Sequence, residues 1–216
     1  MAVGVEPTRT PRADAERNRR RVLDAAVRVF AERGVDATLN DVAREAGVGV
    51  GTVYRKFADK DALLDALFEV KVEQLVRLAD EAAREPDPAL AFHGFVLAVM
   101  EARATDRGLG AVVMRTTRGE SFAAALGQRL GPKVERLISR AAVAGEVRDG
   151  FTGQDVCLLA VMVGTVADLT RDVDPGLWRR YAQMLIDGTR PTASTEALSP
   201  APLPLADVAT ALARAR

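Results

Sequence analysis

Thr52, Tyr54, Arg55 and Lys56 place a hydroxyl, a phenol and two cations close together in the chain. Such groups suit phosphate oxygens and base edges, so the chemistry they offer is non-covalent recognition of nucleic acid. Positioning them takes a short helix whose other face is apolar, and Val53 and Phe57 supply that face. A second helix is expected just before it. Thr38 and Asp41 have the spacing of a capping box, and Val42, Ala43 and Ala46 follow as a small apolar face. Gly47 ends that helix, where a left-handed backbone costs other residues most, and Val48 is the pivot. A small residue, Ala43, four places before the turn glycine is what two closely crossing helices require. The segment from about Leu39 to Phe57 is therefore read as a helix-turn-helix. Plainer readings stand beside this one. Tyr54 can pack between helices, and Lys56 and Lys60 can be ordinary solvated charges.

The bulk properties narrow the classes. The 216 residues are 48% hydrophobic, enough to bury a core, and 30 basic residues balance 30 acidic ones. Whole-chain charge says nothing for nucleic acid, but its distribution does. Arg9, Arg12, Arg17, Arg19, Arg20 and Arg21 face only Asp14 and Glu16 in the same stretch. A basic end on a neutral chain is the footprint of a DNA-binding module joined to something else. The single cysteine, Cys157, excludes an intramolecular disulfide and a multi-cysteine metal site, and reads as a small buried hydrophobe. No signal peptide is visible, and the longest apolar run, Val156 to Ala167, is short of the roughly 20 residues a bilayer needs. A cytoplasmic protein with no membrane partner is expected. Gly47, Gly49 and Gly51 fail as a nucleotide-binding loop because Thr52 stands where the motif needs glycine.

Periodicity predicts an all-α chain. Residues 1–12 are expected to be a disordered basic arm, 13–58 the helix-turn-helix domain, 59–190 a helical body and 191–216 a flexible tail. Within these, Ala13 to Arg33 reads as a helix, and Asp59 caps a longer one carrying Leu63, Leu64, Leu67, Phe68, Leu75 and Leu78. Pro88 to Thr105 is an apolar helix and Leu109 to Thr117 a short one. Phe122 to Ala144 is a helix interrupted near Gly131-Pro132, and Thr152 to Arg171 is apolar almost all round. Pro175 fits the first turn of a helix ending near Gly188. Leu205 to Arg216 can form a short terminal helix.

The run DVAREAGVGVGTVYRKFADKDALL, preceded by RVLDAAVRVFAERG and the Thr38 cap, resembles the tetracycline-repressor (TetR/AcrR) family of bacterial transcription regulators. The resemblance covers roughly Arg17 to Leu67; the rest matches only in its helical, apolar character. It implies a homodimer with one DNA-binding head per subunit and a larger helical ligand-binding and dimerisation body. By position it puts Thr52 and Arg55 in the major groove. Thr38, Tyr54, Lys56 and Lys60 would hold phosphates, and Gly51 would allow close backbone approach. Two departures stand out. Gly49 and Val50 replace the family's frequent Ser followed by Lys or Arg, which weakens the helix cap and puts an apolar group in place of a polar reader. Lys56 stands where an aromatic residue or His is common, favouring phosphate contact.

In the body, Phe92, Met100, Met114, Phe122, Met162 and Trp178 are core candidates, a subset of which would line any pocket. His93, the only histidine, is either a hydrogen-bonded core residue or a pocket wall. Arg103, Thr165 and Asp168 are its polar candidates. Thr152 to Arg171 needs burial on more than one side, as a central core helix or, by the resemblance, as half of a dimer contact. Val161, Asp168, Leu177, Trp178, Tyr181 and Leu185 are the interface candidates. No nucleophile-base pair, metal set or cofactor site can be assembled, so an enzyme is not expected. The resulting expectation is a homodimeric repressor released from a double-stranded, pseudo-palindromic operator by a small molecule. A ligand-independent regulator or an activator is the alternative, with an enzyme using the C-terminal pocket a distant third.

Overall fold

A computed structural model describes residues 11–106, 119–192 and 196–214. Among them every regular element is a helix, in the order α1 (Pro11–Arg33), α2 (Leu39–Ala46), α3 (Val50–Lys56), α4 (Lys60–Ala83), α5 (Pro88–Ala104), α6 (Gly119–Arg129), α7 (Gly131–Val143), α8 (Gly153–Thr170), α9 (Trp178–Asp187) and α10 (Leu205–Arg214). The chain divides into two compact units, with the division inside α4 between Leu67 and Phe68 rather than at the 58/59 junction expected from composition.

In the first unit α1 buries Val22, Ala25, Ala26, Val29 and Phe30 on one face. It begins at Pro11, so Pro11 and Arg12 belong to the helix rather than to the expected arm. Proline is favoured in a first turn, where its missing N–H would be unsatisfied anyway. A 3₁₀ turn, Gly34–Asp36, leads to α2. The start of α4 is set by Asp59, whose Oδ1 accepts from the Ala62 N–H at 2.7 Å. Leu63, Leu64 and Leu67 of α4 then complete the first core with Val42, Val53 and Phe57.

The second unit has a continuous core drawn from α5, α7, α8 and α9, including Phe92, Phe95, Val96, Met100, Leu137, Val163, Trp178 and Ile186. Each such side chain contributes on the order of 1.5–3 kcal/mol by leaving water. Phe92 meets Phe151 edge to face at 5.6 Å. Asp87 caps α5 by accepting from the Ala89 and Leu90 N–H groups, and Thr152 and Asp155 form a capping box on α8. Arg140 closes the other end of α4, donating to the carbonyls of Glu85 and Pro86 at 2.8 and 3.2 Å.

The segment from Phe122 to Ala144 is interrupted where expected, as two helices, α6 and α7, because Pro132 cannot continue an i to i−4 ladder and instead opens α7. Two other regions differ from the sequence reading. Pro175 lies in a turn before α9, where Asp174 Oδ1 accepts from the Gly176 N–H at 2.8 Å. The tail expected to be flexible contains α10, which packs on α6. Val208 is buried, and Leu205 lies 3.4 Å from where a Cβ on Gly127 would sit. The expected short helix at Leu109 to Thr117 lies outside the described residues.

Among the described residues one helix, α8, is long and apolar enough to cross a bilayer by length and composition, beyond the run of about twelve residues apparent in the sequence. Its buried residues, Val156, Ala160, Val163, Gly164 and Ala167, form a single face. Leu159 and Val166 are partly buried beside that face, whereas Leu158, Met162 and Leu169 are exposed.

Candidate nucleic-acid interface

Local geometry builds the head from its caps. Thr38 Oγ1 accepts from the Asp41 N–H, and the Thr38 N–H donates to Asp41 Oδ2 at 3.1 Å, so both halves of the capping box are present. The Thr38 hydroxyl and Arg33 also donate to the Asp41 carboxylate, at 2.7 and 2.8 Å, and Arg44 joins them. These bonds, the Thr38 ones first, hold the Asp41 carboxyl below its usual 3.8. At the other end Gly47 adopts φ +62°, and the Val48 N–H returns to the Ala43 carbonyl at 3.1 Å. That is a Schellman closure, which needs a residue without a Cβ penalty. Arg21 adds a bond from the first helix, donating to the Ala46 carbonyl at 2.9 Å. Sequence reading treated Arg21 only as part of a basic cluster; its closing role depends on a contact 25 positions away.

The turn delivers α3 with Val53 buried inside and Tyr54 and Arg55 exposed outside. Gly51 is exposed, with open space where a Cβ would be. The N-terminal cap residue, Gly49, makes no side-chain bond, and Val50 is exposed beside it. The Arg55 guanidinium donates to Thr52 Oγ1 at 3.3 Å, so these two present as one polar unit. Lys56 is half-buried. Lys60 Nζ lies 5.6 Å from the Phe30 ring and Arg19 lies 5.5 Å from the Phe57 ring, steadying two cations against the small core. The expected contact set Thr38, Gly51, Thr52, Tyr54, Arg55, Lys56 and Lys60 thus sits on α3 and at the starts of α2 and α4.

In the second unit the candidates separate. Phe92 and Met100 are fully buried and Arg103 is mostly so, its side chain 19% exposed. His93 is half-buried, stacked edge-on against Phe92 at 5.3 Å, with Nδ1 3.3 Å from Arg190 Nη2. A guanidinium has no acceptor, so Nδ1 accepts and the ring proton belongs to Nε2, which is buried without a partner among the described residues. Burial first, then the charge of Arg190, lowers the His93 pKa. Met162, 51% exposed, and Thr165, whose hydroxyl donates to the Val161 carbonyl, face outward on α8 and do not line the interior with Phe92 and Met100. Met114 and the side chain of Phe122 lie outside the described residues.

Among the interface candidates Trp178 is internal, 3% exposed, and so presents no surface to a partner; burying its large ring within the unit wins over leaving it outside. Tyr181 is exposed, Val161, Leu177 and Leu185 are half-buried, and Asp168 binds Arg103 and Arg171. Leu158, Leu169 and Met184 are exposed apolar residues that the sequence reading missed. Their signal was available. Leu158, Met162, Thr165 and Leu169 follow the 4-3-4 spacing of one helix face. Cys157 is half-buried rather than fully so, and burial raises its thiol pKa. Among the described residues no group of three or more His, Cys, Asp or Glu has metal-holding geometry.

A capped helix, a glycine turn and an outward polar helix on a three-helix core define a helix-turn-helix protein. Residues 22–67 match the family described as bacterial regulatory proteins, tetR family, and residues 87–191 match an SbtR-like transcriptional regulator C-terminal domain. The uncharacterized regulator YhgD of Bacillus subtilis is 38% identical over 89 residues, 39% of this chain and 45% of that protein. AcrR of Shigella flexneri is 30% identical over 101 residues, 45% of this chain and 47% of that protein. The chain therefore spans about half the length of these curated relatives. A crystal structure of the TetR regulator SCO0520 from Streptomyces coelicolor is 30% identical, covering 81% of this chain and 99% of that one, with a TM-score of 0.58. The chain belongs to the TetR family of transcriptional regulators, DNA-binding proteins rather than enzymes.

Proposed function

We propose that the protein is a homodimeric repressor that leaves a pseudo-palindromic operator when a small molecule binds its C-terminal unit. The observation that carries the DNA half is the outer face of α3, where Gly51, Tyr54 and Arg55 stand exposed over the buried Val53. In this reading Thr52 and Arg55 contact base edges as a hydrogen-bonded pair. Thr38, Tyr54, Lys56 and Lys60 hold phosphates, and Gly51 lets backbone approach the duplex. Val50 contributes an apolar contact of the kind a thymine methyl accepts.

The dimer half rests on uncovered apolar surface. Leu158, Met162 and Leu169 of α8, with Tyr181 and Met184 of α9, are exposed at 38%, 51%, 78%, 41% and 59%. A self-complementary pairing of these two helices with a second copy would cover them. The ligand half rests on Phe92, Met100, Arg103 and His93, which combine apolar walls with few polar groups.

Selection of bound fragments from random duplex DNA tests the whole reading. The expected result is a pseudo-palindrome with half-sites about one helical turn apart. Recovery of no preferred sequence would sink the operator reading. Met162→Glu should yield monomers in analytical ultracentrifugation, and a dimer of unchanged stability would exclude this interface.

A further inference from the structure

Arg103 projects from α5 across α8 and is only partly satisfied. Its Nη2 donates to Asp168 Oδ2 at 3.2 Å, whereas Nη1 is buried with no hydrogen-bond partner among the described residues. The same carboxylate also serves Arg171, 2.6 Å from Oδ1. Two guanidiniums therefore share one carboxylate, leaving a residual positive charge with a buried unused donor. A charged donor left unsatisfied inside a protein is costly, and such a group in a native fold calls for a compensating partner. The nearby Lys71 does not alter this balance, because it faces Asp106 at 3.3 Å and the Ala102 carbonyl.

The face of α5 that carries Arg103 is otherwise apolar. Met100 and Val96 precede Arg103 by three and seven positions on the same face of α5, and both are fully buried. Gly164 gives the site its shape, since a Cβ there would lie 2.6 Å from Arg103 Cγ and Cζ. The guanidinium thus lies flat against bare α8 backbone. Because Nη1 is covered by its own chain, a second subunit docking on the outer face of α8 does not reach it.

We propose that Arg103 is the anchor for an organic monoanion, a carboxylate with an apolar body, bound within the C-terminal unit. This rests on the reading that the unit holds a ligand, and it names the ligand's charge and the residue that selects it. Asp168 acts as a competitor, holding Nη2 when the anion is absent.

The test uses the full chain with decanoate and benzoate, each against its neutral amide. Either acid should raise the melting temperature by about 5 °C near a hundred times its Kd, and the amides should not. Arg103→Met should fold and lose that response. Asp168→Asn, which removes the competing negative charge while keeping the shape, should bind the acid about tenfold more tightly, the worth of one charge-assisted bond. This second variant decides the matter if Arg103→Met is unstable. Equal shifts with acid and amide, no shift with either acid, or unchanged acid affinity in Asp168→Asn would overturn the proposal. Release of operator DNA by a neutral compound, unaffected by Arg103→Met, would also overturn it while leaving the regulator reading intact.

Discussion

The Arg103 side chain occupies the space that a Cβ on Gly164 would take, with Cγ, Cζ and Nε all within 2.7 Å of that position. Alanine is ordinarily better than glycine inside a helix by about 1 kcal/mol. Here the added methyl must displace Arg103, and because Cγ is close to the backbone, swinging the guanidinium alone gives no relief. Gly164→Ala is expected to lose about 1–3 kcal/mol, read as a lower melting temperature. Arg103→Ala in the same chain should recover most of that loss, and a double-mutant cycle showing no coupling would contradict the packing described.

The head separates specificity from affinity. Arg55→Ala should relax preference at particular base pairs by about 1–3 kcal/mol, and because Arg55 donates to Thr52, Thr52→Ala should do so at the same positions. Lys60→Ala should weaken binding to all sequences and reduce the salt slope by about one. Titrations at several salt concentrations distinguish the two, and a Lys60→Ala protein with unaltered slope would remove Lys60 from the phosphate set.

Acid sensitivity of the head follows from the Thr38–Asp41 box. The folded pKa of Asp41 lies below 3.8, so its contribution is complete above 3.8 and is lost as pH falls through the lower, folded value. Thr38→Ala removes the largest causes, so the Asp41 carboxyl should titrate closer to 3.8 in carbon-detected NMR. The loss of the cap should also cost about 1 kcal/mol. An Asp41 titration unmoved by Thr38→Ala would show that Arg33 and Arg44 dominate instead.

His93 imposes a second window in the other unit. It is a base with a folded pKa below 6.5, lowered by burial and Arg190 against the opposing pull of Glu146, Asp187 and Asp87. The folded state therefore binds fewer protons than the unfolded one. Stability from the neutral ring is complete above 6.5 and declines as pH falls from there towards the folded value. Denaturant midpoints at about pH 7.5 and about pH 5.5 should differ more for the native chain than for His93→Gln. Identical differences would assign the acid loss elsewhere.

Much of the head was legible because its determinants are local. Thr38 and Asp41 are three residues apart, and Gly47 closes a bond to Ala43, so short-range spacing specifies both ends of α2. Val53 and Phe57 likewise mark the inner face of α3. The body was legible only in class. Its apolar helices can be counted, but an apolar residue on α8 reads alike whether it faces the core or the outside. Val163 is buried and Met162 is exposed, one position apart. Trp178 reads as core by its apolar bulk and as a dimer contact by the resemblance, and its burial favours the core.

By itself, then, the sequence determined the all-helical class, the helix-turn-helix and the residues offered on its outer face, because helix periodicity and caps act over three to five residues. Tertiary structure decided what depends on distant partners. It turned Trp178 inward and ordered α10 against α6. It also laid Arg103 across Gly164, 61 positions further along the chain, with one guanidinium nitrogen bonded and another without a partner among the described residues. No local rule encodes that pairing, since it exists only where α5 and α8 cross.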